Sequence, residues 1–375
     1  MIHGHCDPRF APVRDAFAAN FARHGEVGAA VCVVLGGRAV VDLWGGTAGP
    51  GRTWEADTLV NVFSVGKALT ALCVARLVDL GVLDVDDPVT RHWPEFGAAG
   101  KETITVRHLL THQAGLPAVR QPLPPGAMLD WALMTKALAE HEPWWPPGTA
   151  HGYHVNTFGF LVGEVVRRAT GRTVGALLRE EIAGPLGAEL HIGLPAAEHH
   201  RVAEIDWPAP SAAAPEGLSG DRLMTHCAYF NPVDGSGAGV INTPAWRSAE
   251  IPSTNGHGTA RGVARVYAAL AAGGAIDGVR VVSAGTLAAA TVEQVYGMDR
   301  VLDRPSRFGL GFQLTQPERP LGPSPRAFGH FGAGGALGFC DPDAGLAFGY
   351  VMNDLGPRWR NPRNRALIDA VYAAI

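Results

Sequence analysis

Hydrophobic positions along the chain fall into three successive patterns. Residues 10–23 carry apolar side chains at helical spacing and predict an opening helix. Two β-rich runs follow, Gly28-Ala29-Ala30-Val31-Cys32-Val33-Val34-Leu35 and Arg38-Ala39-Val40-Val41-Asp42-Leu43-Trp44. The Gly36-Gly37 pair between them predicts a hairpin. From 67 to 80 the pattern is apolar almost all round until Gly81 stops it, so this helix belongs at the centre of something large.

The middle of the chain reads as helices and loops. A short helix over 106–112 begins after Thr105 and is ended by Gly115 and Pro117. An amphipathic helix over 158–170 is closed by Gly171, and another over 260–272 runs into Gly273-Gly274. Proline-rich stretches at 121–125, 143–148 and 207–215 have no accompanying charge run, which predicts irregular surface segments rather than linkers.

The tail returns to β structure. Residues 308–314 alternate, and runs at 335–340 and 346–352 flank the turn Asp341-Pro342-Asp343-Ala344-Gly345. A helix over 364–375 ends the chain. Strands at both ends with helices between predict an α+β fold. One antiparallel sheet is built from 1–63 and 296–375 and flanked by the terminal helices. A mainly helical region, 64–295, is inserted, with the site in the cleft between the two. No internal repeat interrupts this order.

Composition adds mostly exclusions. With 375 residues, 47% hydrophobic and 18% charged, the chain has ample apolar surface for a core. A net charge of −4 gives no electrostatic case for nucleic acid or an anionic membrane surface. No apolar run reaches the roughly 18–20 residues of a membrane helix. Met1-Ile2-His3-Gly4-His5-Cys6-Asp7-Pro8 lacks the basic-then-apolar order of a secretory signal. The five cysteines (Cys6, Cys32, Cys73, Cys227, Cys340) are odd in number and contain no CxxC pair. Reduced thiols in a cytoplasmic protein are expected, with Cys32, Cys73 and Cys340 as small buried hydrophobes.

Ser64-Val65-Gly66-Lys67 changes the picture most. It lies where an extended segment, 58–63, enters the apolar helix. There, free backbone N–H groups and the helix dipole favour negative charge on the serine. Lys67, three residues on, shares the serine's helix face, the geometry needed for an amine to take the hydroxyl proton. The chain has three lysines and nine serines, so an accidental S-x-x-K is expected roughly 0.07 times. Lys67 is also the lone charge between Asp57 and Arg76, and desolvation there should lower its pKa.

Five blocks in order resemble the class C β-lactamase-like serine hydrolases, which include penicillin-binding-protein-like members, and in particular their esterase branch, the family VIII carboxylesterases. These are Phe63 to Lys67; Ile104-Thr105-Val106-Arg107-His108-Leu109-Leu110-Thr111-His112-Gln113-Ala114-Gly115-Leu116-Pro117; Pro147-Gly148 leading to Tyr153; Asn255-Gly256-His257-Gly258-Thr259-Ala260-Arg261; and Gly329-His330-Phe331-Gly332-Ala333-Gly334-Gly335. The resemblance covers nearly the whole chain. It implies a β-lactamase/transpeptidase-like fold and a third catalytic residue, Tyr153, within reach of Ser64 and Lys67. A tyrosine beside a lysine ammonium is expected to have a depressed pKa and to act as phenolate base or proton relay.

The resemblance also implies that the amide of Ala333 pairs with that of Ser64 as an oxyanion hole, and that His330, Phe331 and Gly332 flank the substrate. The chain departs from the pattern twice. Where β-lactamases have Tyr-x-Asn, this chain has Tyr153-His154-Val155, with Asn156 one place late. Where they have Lys-Thr-Gly, it has His330-Phe331-Gly332, without the cation that grips a β-lactam carboxylate.

The expectation is therefore hydrolysis of a small ester through an acyl-enzyme on Ser64. Transfer of the acyl group to an amine or alcohol in secondary metabolism is the alternative, and β-lactam or D-amino-acid peptide hydrolysis comes third. A binding protein that kept the fold predicts a damaged triad, whereas all three residues are present. Trp144, Trp145, Phe331 and Trp246 are candidates for an apolar acyl or acceptor site. Asn255 and His257 follow a proline and open a helix, either lining the site or capping it.

No metal or other cofactor is expected. His3-x-His5-x-Asp7 lacks a following histidine and sits on a floppy terminus, and His141, His199 and His200 read as surface residues. Asp234-Gly235-Ser236-Gly237 lacks the first glycine of an α/β-hydrolase elbow. The partner is a small-molecule ester or amide; nothing in the sequence fixes the oligomeric state.

Overall fold

Strands Gly28–Leu35 and Arg38–Gly49 pair antiparallel across the Gly36-Gly37 turn, as the two β-rich runs predict. The computed structural model describes residues 1–207, 217–235, 237–357 and 359–375. Most of the proline-rich stretch at 207–215, and Ser236, lie outside the described residues.

Around that hairpin grows an antiparallel sheet with the order Ile2–Cys6, Arg38–Gly49, Gly28–Leu35, Leu346–Met352, Leu337–Asp341, Phe328–Phe331, Gln313–Leu314, Arg304–Phe308, Val295–Asp299. The short strand Arg52–Thr53 pairs with Arg38–Gly49 as a tenth member. The join between the two chain ends is the seven-residue register of Leu346–Met352 against Gly28–Leu35. One sheet is thus built from both termini, in the β-lactamase/transpeptidase-like arrangement.

The sheet is covered on both faces. Gly338 and Gly349 are cross-strand partners, and a Cβ on either would collide with the Ala260–Ala271 helix, at 2.4 Å from the Tyr267 ring and 2.3 Å from the Ala260 carbonyl. Two bare backbones let that helix lie directly on the sheet. Alternation then turns Tyr350 to the opposite face. There its hydroxyl meets Glu26, which Arg363 of the Pro362–Ala374 helix also reaches. That helix packs on Ala11–Arg23, so the two terminal helices cover one face together.

Three expectations need correction. The alternating run at 308–314 is two strands, Arg304–Phe308 and Gln313–Leu314, because the chain turns back at Gly309, whose N–H donates to the Phe312 carbonyl at 2.9 Å. The run at 335–340 starts as a single 3-10 turn, Ala333–Gly335, and becomes strand only at Leu337. The opening residues are a strand, Ile2–Cys6, fixed to Arg38–Gly49 and with His3 stacked on Trp44, because edge pairing holds what the sequence offers as a loose end.

The apolar helix spans Val65–Asp79 and is buried nearly all round, as its pattern requires. It is preceded by strand Val60–Phe63, which joins Gly256–Gly258 and Leu190–His191 in a small second sheet. Asn255 and His257 therefore stand at and in a strand, and the helix they were expected to open begins after Thr259. Cys32, Cys73, Cys227 and Cys340 are buried and Cys6 partly so, all as free thiols. No helix among the described residues is long and apolar enough to cross a membrane.

Candidate active site

Strand Val60–Phe63 delivers the chain to Ser64 through a strained step. Phe63 has φ +51°, the left-handed region that a bulky side chain rarely enters, and its N–H is held by Asn61 Oδ1 at 2.8 Å. Ser64 takes the N-cap position of the Val65–Asp79 helix. Its hydroxyl makes no capping bond and faces a cavity of about 100 Å³.

Lys67 lies one turn along, fully buried. Its Nζ sits 3.3 Å from Ser64 Oγ, 2.6 Å from the Val155 carbonyl and 2.9 Å from the Ser253 carbonyl. Burial drives its pKa well below the ordinary lysine value. The three contacts suit the neutral amine: its two N–H bonds go to the two carbonyls, and its lone pair is left for the serine hydroxyl. An ammonium would find three acceptors at the same places, so it is burial that favours the neutral amine. Lys101 provides the contrast, buried and donating to the carbonyls of Ala98, Ala139 and His141 at 2.6, 2.9 and 2.6 Å.

The Ser253 carbonyl reaches Lys67 because two helices carry glycines where the turn after Ile251 passes between them. A Cβ on Gly66 would stand 2.8 Å from the Pro252 carbonyl oxygen, and one on Gly159 2.5 Å from the Ser253 nitrogen. The glycine inside Ser64-Val65-Gly66-Lys67 thus admits the backbone that holds the lysine.

Tyr153 completes the cluster. Its hydroxyl is hydrogen-bonded to Ser64, and its backbone N–H donates to Asp299 Oδ1 at 2.9 Å. Asp299, buried on strand Val295–Asp299, also accepts from the Val301 and Leu302 N–H groups and the Ser306 hydroxyl, so the tyrosine loop is moored to the sheet edge. The Lys67 amine lies 4.6 Å above the centre of the Tyr153 ring.

The expected depression of the tyrosine pKa does not occur. Burial raises it, outweighing the Ser64 hydrogen bond. The amine meets the ring face and is itself desolvated, so no ammonium stands beside the hydroxyl to favour a phenolate.

The Gly332 and Ala333 positions line the cavity with Ser64, and Phe331 forms part of its apolar wall. His330 is fully buried and is not among the cavity's lining residues. Its ring sits 6.0 Å from that of Tyr153, with Nδ1 bonded to the Phe331 carbonyl. Trp144, Trp145 and Trp246 stay outside the lining: Trp246 is core, Trp145 packs with Tyr153 and Phe308, and Trp144 bonds the Ala118 carbonyl. The aromatic wall comes instead from Phe63, Trp207, Tyr229 and Phe331.

His154 and Asn255 serve the scaffold, and Asn156 lines the cavity. His154 accepts from the Leu116 N–H through Nε2 and pairs Nδ1 with the Gly152 carbonyl, so its neutral form is fixed. Asn156 binds the Ala228 carbonyl and the Thr254 hydroxyl. Asn255 ties Ile251, Trp246 and Ala249 together, and His257 is buried in its strand. His141 is buried rather than at the surface, because Trp144 and the Lys101 clamp close over it.

Sequence reading missed Phe63, Asp299, Val155 and Ser253. It also missed two cavity-lining arginines, Arg304 and Arg319. Only the apolar neighbourhood of Lys67 hinted at any of these.

Known proteins resemble this chain in sequence and fold. The sequence model of the Beta-lactamase family matches residues 13–373. The chain is 39% identical over 370 residues to "Esterase/beta-lactamase LipL" of Mycobacterium tuberculosis, covering 94% of this chain and 83% of that protein. Two solved structures, a family VIII carboxylesterase and a penicillin-binding protein homolog from Caulobacter crescentus, each superpose with a TM-score of 0.92. Each is 43% identical, with full coverage of both chains.

Proposed function

The chain belongs to the beta-lactamase family, and on that premise we propose that it hydrolyses a small ester through an acyl-enzyme on Ser64. The observation that carries the proposal is the buried Lys67 amine, whose N–H groups are committed to two carbonyls while Ser64 Oγ lies 3.3 Å away. The names of similar proteins, an esterase/beta-lactamase and a family VIII carboxylesterase, favour an ester over other acyl compounds.

In this reading the Ser64 proton passes to Lys67 as Oγ bonds to the ester carbonyl carbon. The resulting oxyanion rests on the amides of Ser64 and Ala333. Each such donor is worth about 3–4 kcal/mol to an acyl-transfer transition state. The intermediate collapses by breaking the bond to the alcohol. The proton held on Lys67 returns to the leaving alkoxide, with the neutral Tyr153 hydroxyl as relay. Water then repeats the sequence, giving the acid and free Ser64. Phe331 and Gly332 border the acyl group, and His330 supports Tyr153 from behind. We assign the Ala260–Ala271 helix to the sheet side of the cleft, and the rest of 64–295 to the helical side.

The test is para-nitrophenyl butyrate hydrolysis by wild type and Ser64→Ala, each followed by intact mass. Turnover and a butyryl adduct in wild type alone support the proposal. Equal hydrolysis by both proteins, with neither acylated, refutes it. An adduct that persists until an amine or alcohol is added supports the transacylase instead.

A further inference from the structure

The backbone just before the nucleophile has a conformation that suits glycine, yet the chain carries phenylalanine there. Phe63 holds φ +51°, which glycine adopts freely and a bulky side chain only at a cost. The strand is built to keep it so. Its ladder with Gly256–Gly258 shifts register between Asn61 and Phe63, and the Asn61 side chain accepts the Phe63 N–H at 2.8 Å. Strain that the surroundings hold in place beside a reacting centre points to a task for the side chain.

The position of the ring says which task. A Cβ on Gly332 would stand 3.4 Å from the Phe63 Cβ and 2.6 Å from the Val62 carbonyl oxygen. The Phe63 side chain therefore leaves the backbone between Ser64 and the Gly332-Ala333 edge. Its ring centre lies 5.9 Å from that of Trp207, at a tilt of 53°, and both rings line the cavity with Val155 and Phe331. Phe63 is 2% exposed, so close-packed neighbours leave it little room to swing aside. The cavity measures about 100 Å³. Sites for drug-sized ligands begin at roughly 300 Å³, so a fixed ring here takes space the substrate would otherwise use. During the reaction the alcohol departs while the acyl group stays bonded to Ser64 Oγ. A wall formed by the residue next to the nucleophile thus bears longest on the acyl chain.

We propose that Phe63 is the specificity-determining residue for the acyl chain: its ring, held by the Asn61 bond, closes the acyl side of the cavity and limits the substrate to short aliphatic acyl groups. This rests on the ester-hydrolase reading and adds the residue that sets the limit. The strained step before Ser64 is the means by which a side chain is brought that close to the nucleophile.

The assay is the length dependence of kcat/KM along para-nitrophenyl acetate, butyrate, hexanoate and octanoate. Each methylene that an apolar wall receives is worth about fourfold, and each one refused gains nothing. In wild type the octanoate-to-butyrate ratio should be one or less. Phe63→Ala should raise it about tenfold or more, and Phe63→Trp should lower the butyrate-to-acetate ratio. A ratio is internal to each preparation, so a partly unfolded variant cannot imitate the change. Ethyl, butyl and hexyl acetate, followed by pH-stat, carry the added length on the alcohol side, and their profile should stay in place. A wild type that gains steadily from butyrate to octanoate overturns the inference. So do acyl ratios unmoved by both substitutions, or an alcohol profile that moves in their stead.

Methyl ketones, which present the same acyl chain without a leaving group, read the wall without turnover. In Ser64→Ala, calorimetry should find 2-nonanone bound no tighter than 2-pentanone, and adding Phe63→Ala should favour 2-nonanone by about tenfold. A ketone preference unmoved by Phe63→Ala overturns the assignment. A preference that moves as expected, beside a wild type that turns over no ester, overturns the hydrolase reading alone. Ester turnover with acyl ratios and ketone preference both indifferent to Phe63 overturns the Phe63 assignment alone.

Discussion

Gly159→Ala tests the support of the base without touching the substrate. The new Cβ would stand 2.5 Å from the Ser253 nitrogen, and ordinary contact begins at 3.4 Å, so the turn must retreat by ~0.9 Å (3.4 − 2.5). The obstacle is backbone, with no flexible side chain to swing aside. Retreat carries the Ser253 carbonyl from 2.9 Å to ~3.8 Å from Lys67 Nζ, beyond hydrogen-bond range. One amine N–H then loses its acceptor and competes for Ser64 Oγ, so the lone pair is no longer aimed.

Overpacking of this kind costs about 1–3 kcal/mol of stability. Misplacement by about 1 Å in a catalytic group costs on the order of 100-fold in rate. The assay is kcat for para-nitrophenyl butyrate, normalised to active sites titrated with a fluorophosphonate, beside thermal unfolding. Gly285→Ala is the comparator, since its Cβ meets nothing within 4 Å and the exposed helical site should gain about 0.5–1 kcal/mol. A Gly159→Ala enzyme with wild-type kcat per active site would show that the Ser253 carbonyl does not aim the lysine.

Three further outcomes follow from the site. Because burial lowers the Lys67 pKa well below the ordinary lysine value, the neutral amine should be the active form below the ordinary lysine range. Thus kcat/KM should fall as acid protonates Lys67 and show no rise through the ordinary lysine range. Lys67→Arg should be inactive at every pH because a guanidinium stays protonated. A pH profile rising only near pH 10 would contradict this. Tyr153→Phe should lower kcat about 100- to 10,000-fold with little change in Tm, since it removes a proton relay from a packed ring; near-normal kcat would remove the relay from the mechanism. Asp299→Ala strands three N–H groups and the Ser306 hydroxyl, and should cost about 1–3 kcal/mol and lower kcat through a loosened Tyr153. Unchanged denaturant midpoint and kcat would argue against the mooring.

The sequence by itself determined what local periodicity and short spacing can encode. Gly36-Gly37 between two β-rich runs specified the hairpin, and the all-round apolar pattern specified the buried helix. Ser64 and Lys67 were legible because three residues on one helix fix their geometry regardless of the rest of the chain. Tyr153 and Ala333 became legible only through resemblance, since nothing local ties them to Ser64.

Tertiary structure decided the electrostatics of the site and which residues line it. The acceptors of Lys67 come from Val155 and Ser253, 88 and 186 residues away, and they are backbone carbonyls, which any residue type supplies and no letter announces. Tyr153 stays neutral because its burial outweighs its hydrogen bond, a balance that depends on what packs over it. Arg304 and Arg319 are two arginines among 28 (31 lysines and arginines less three lysines), and only the sheet's fold brings them to one wall. Spacing along the chain writes backbone geometry directly. Desolvation and long-range contact exist only once distant segments have excluded water together.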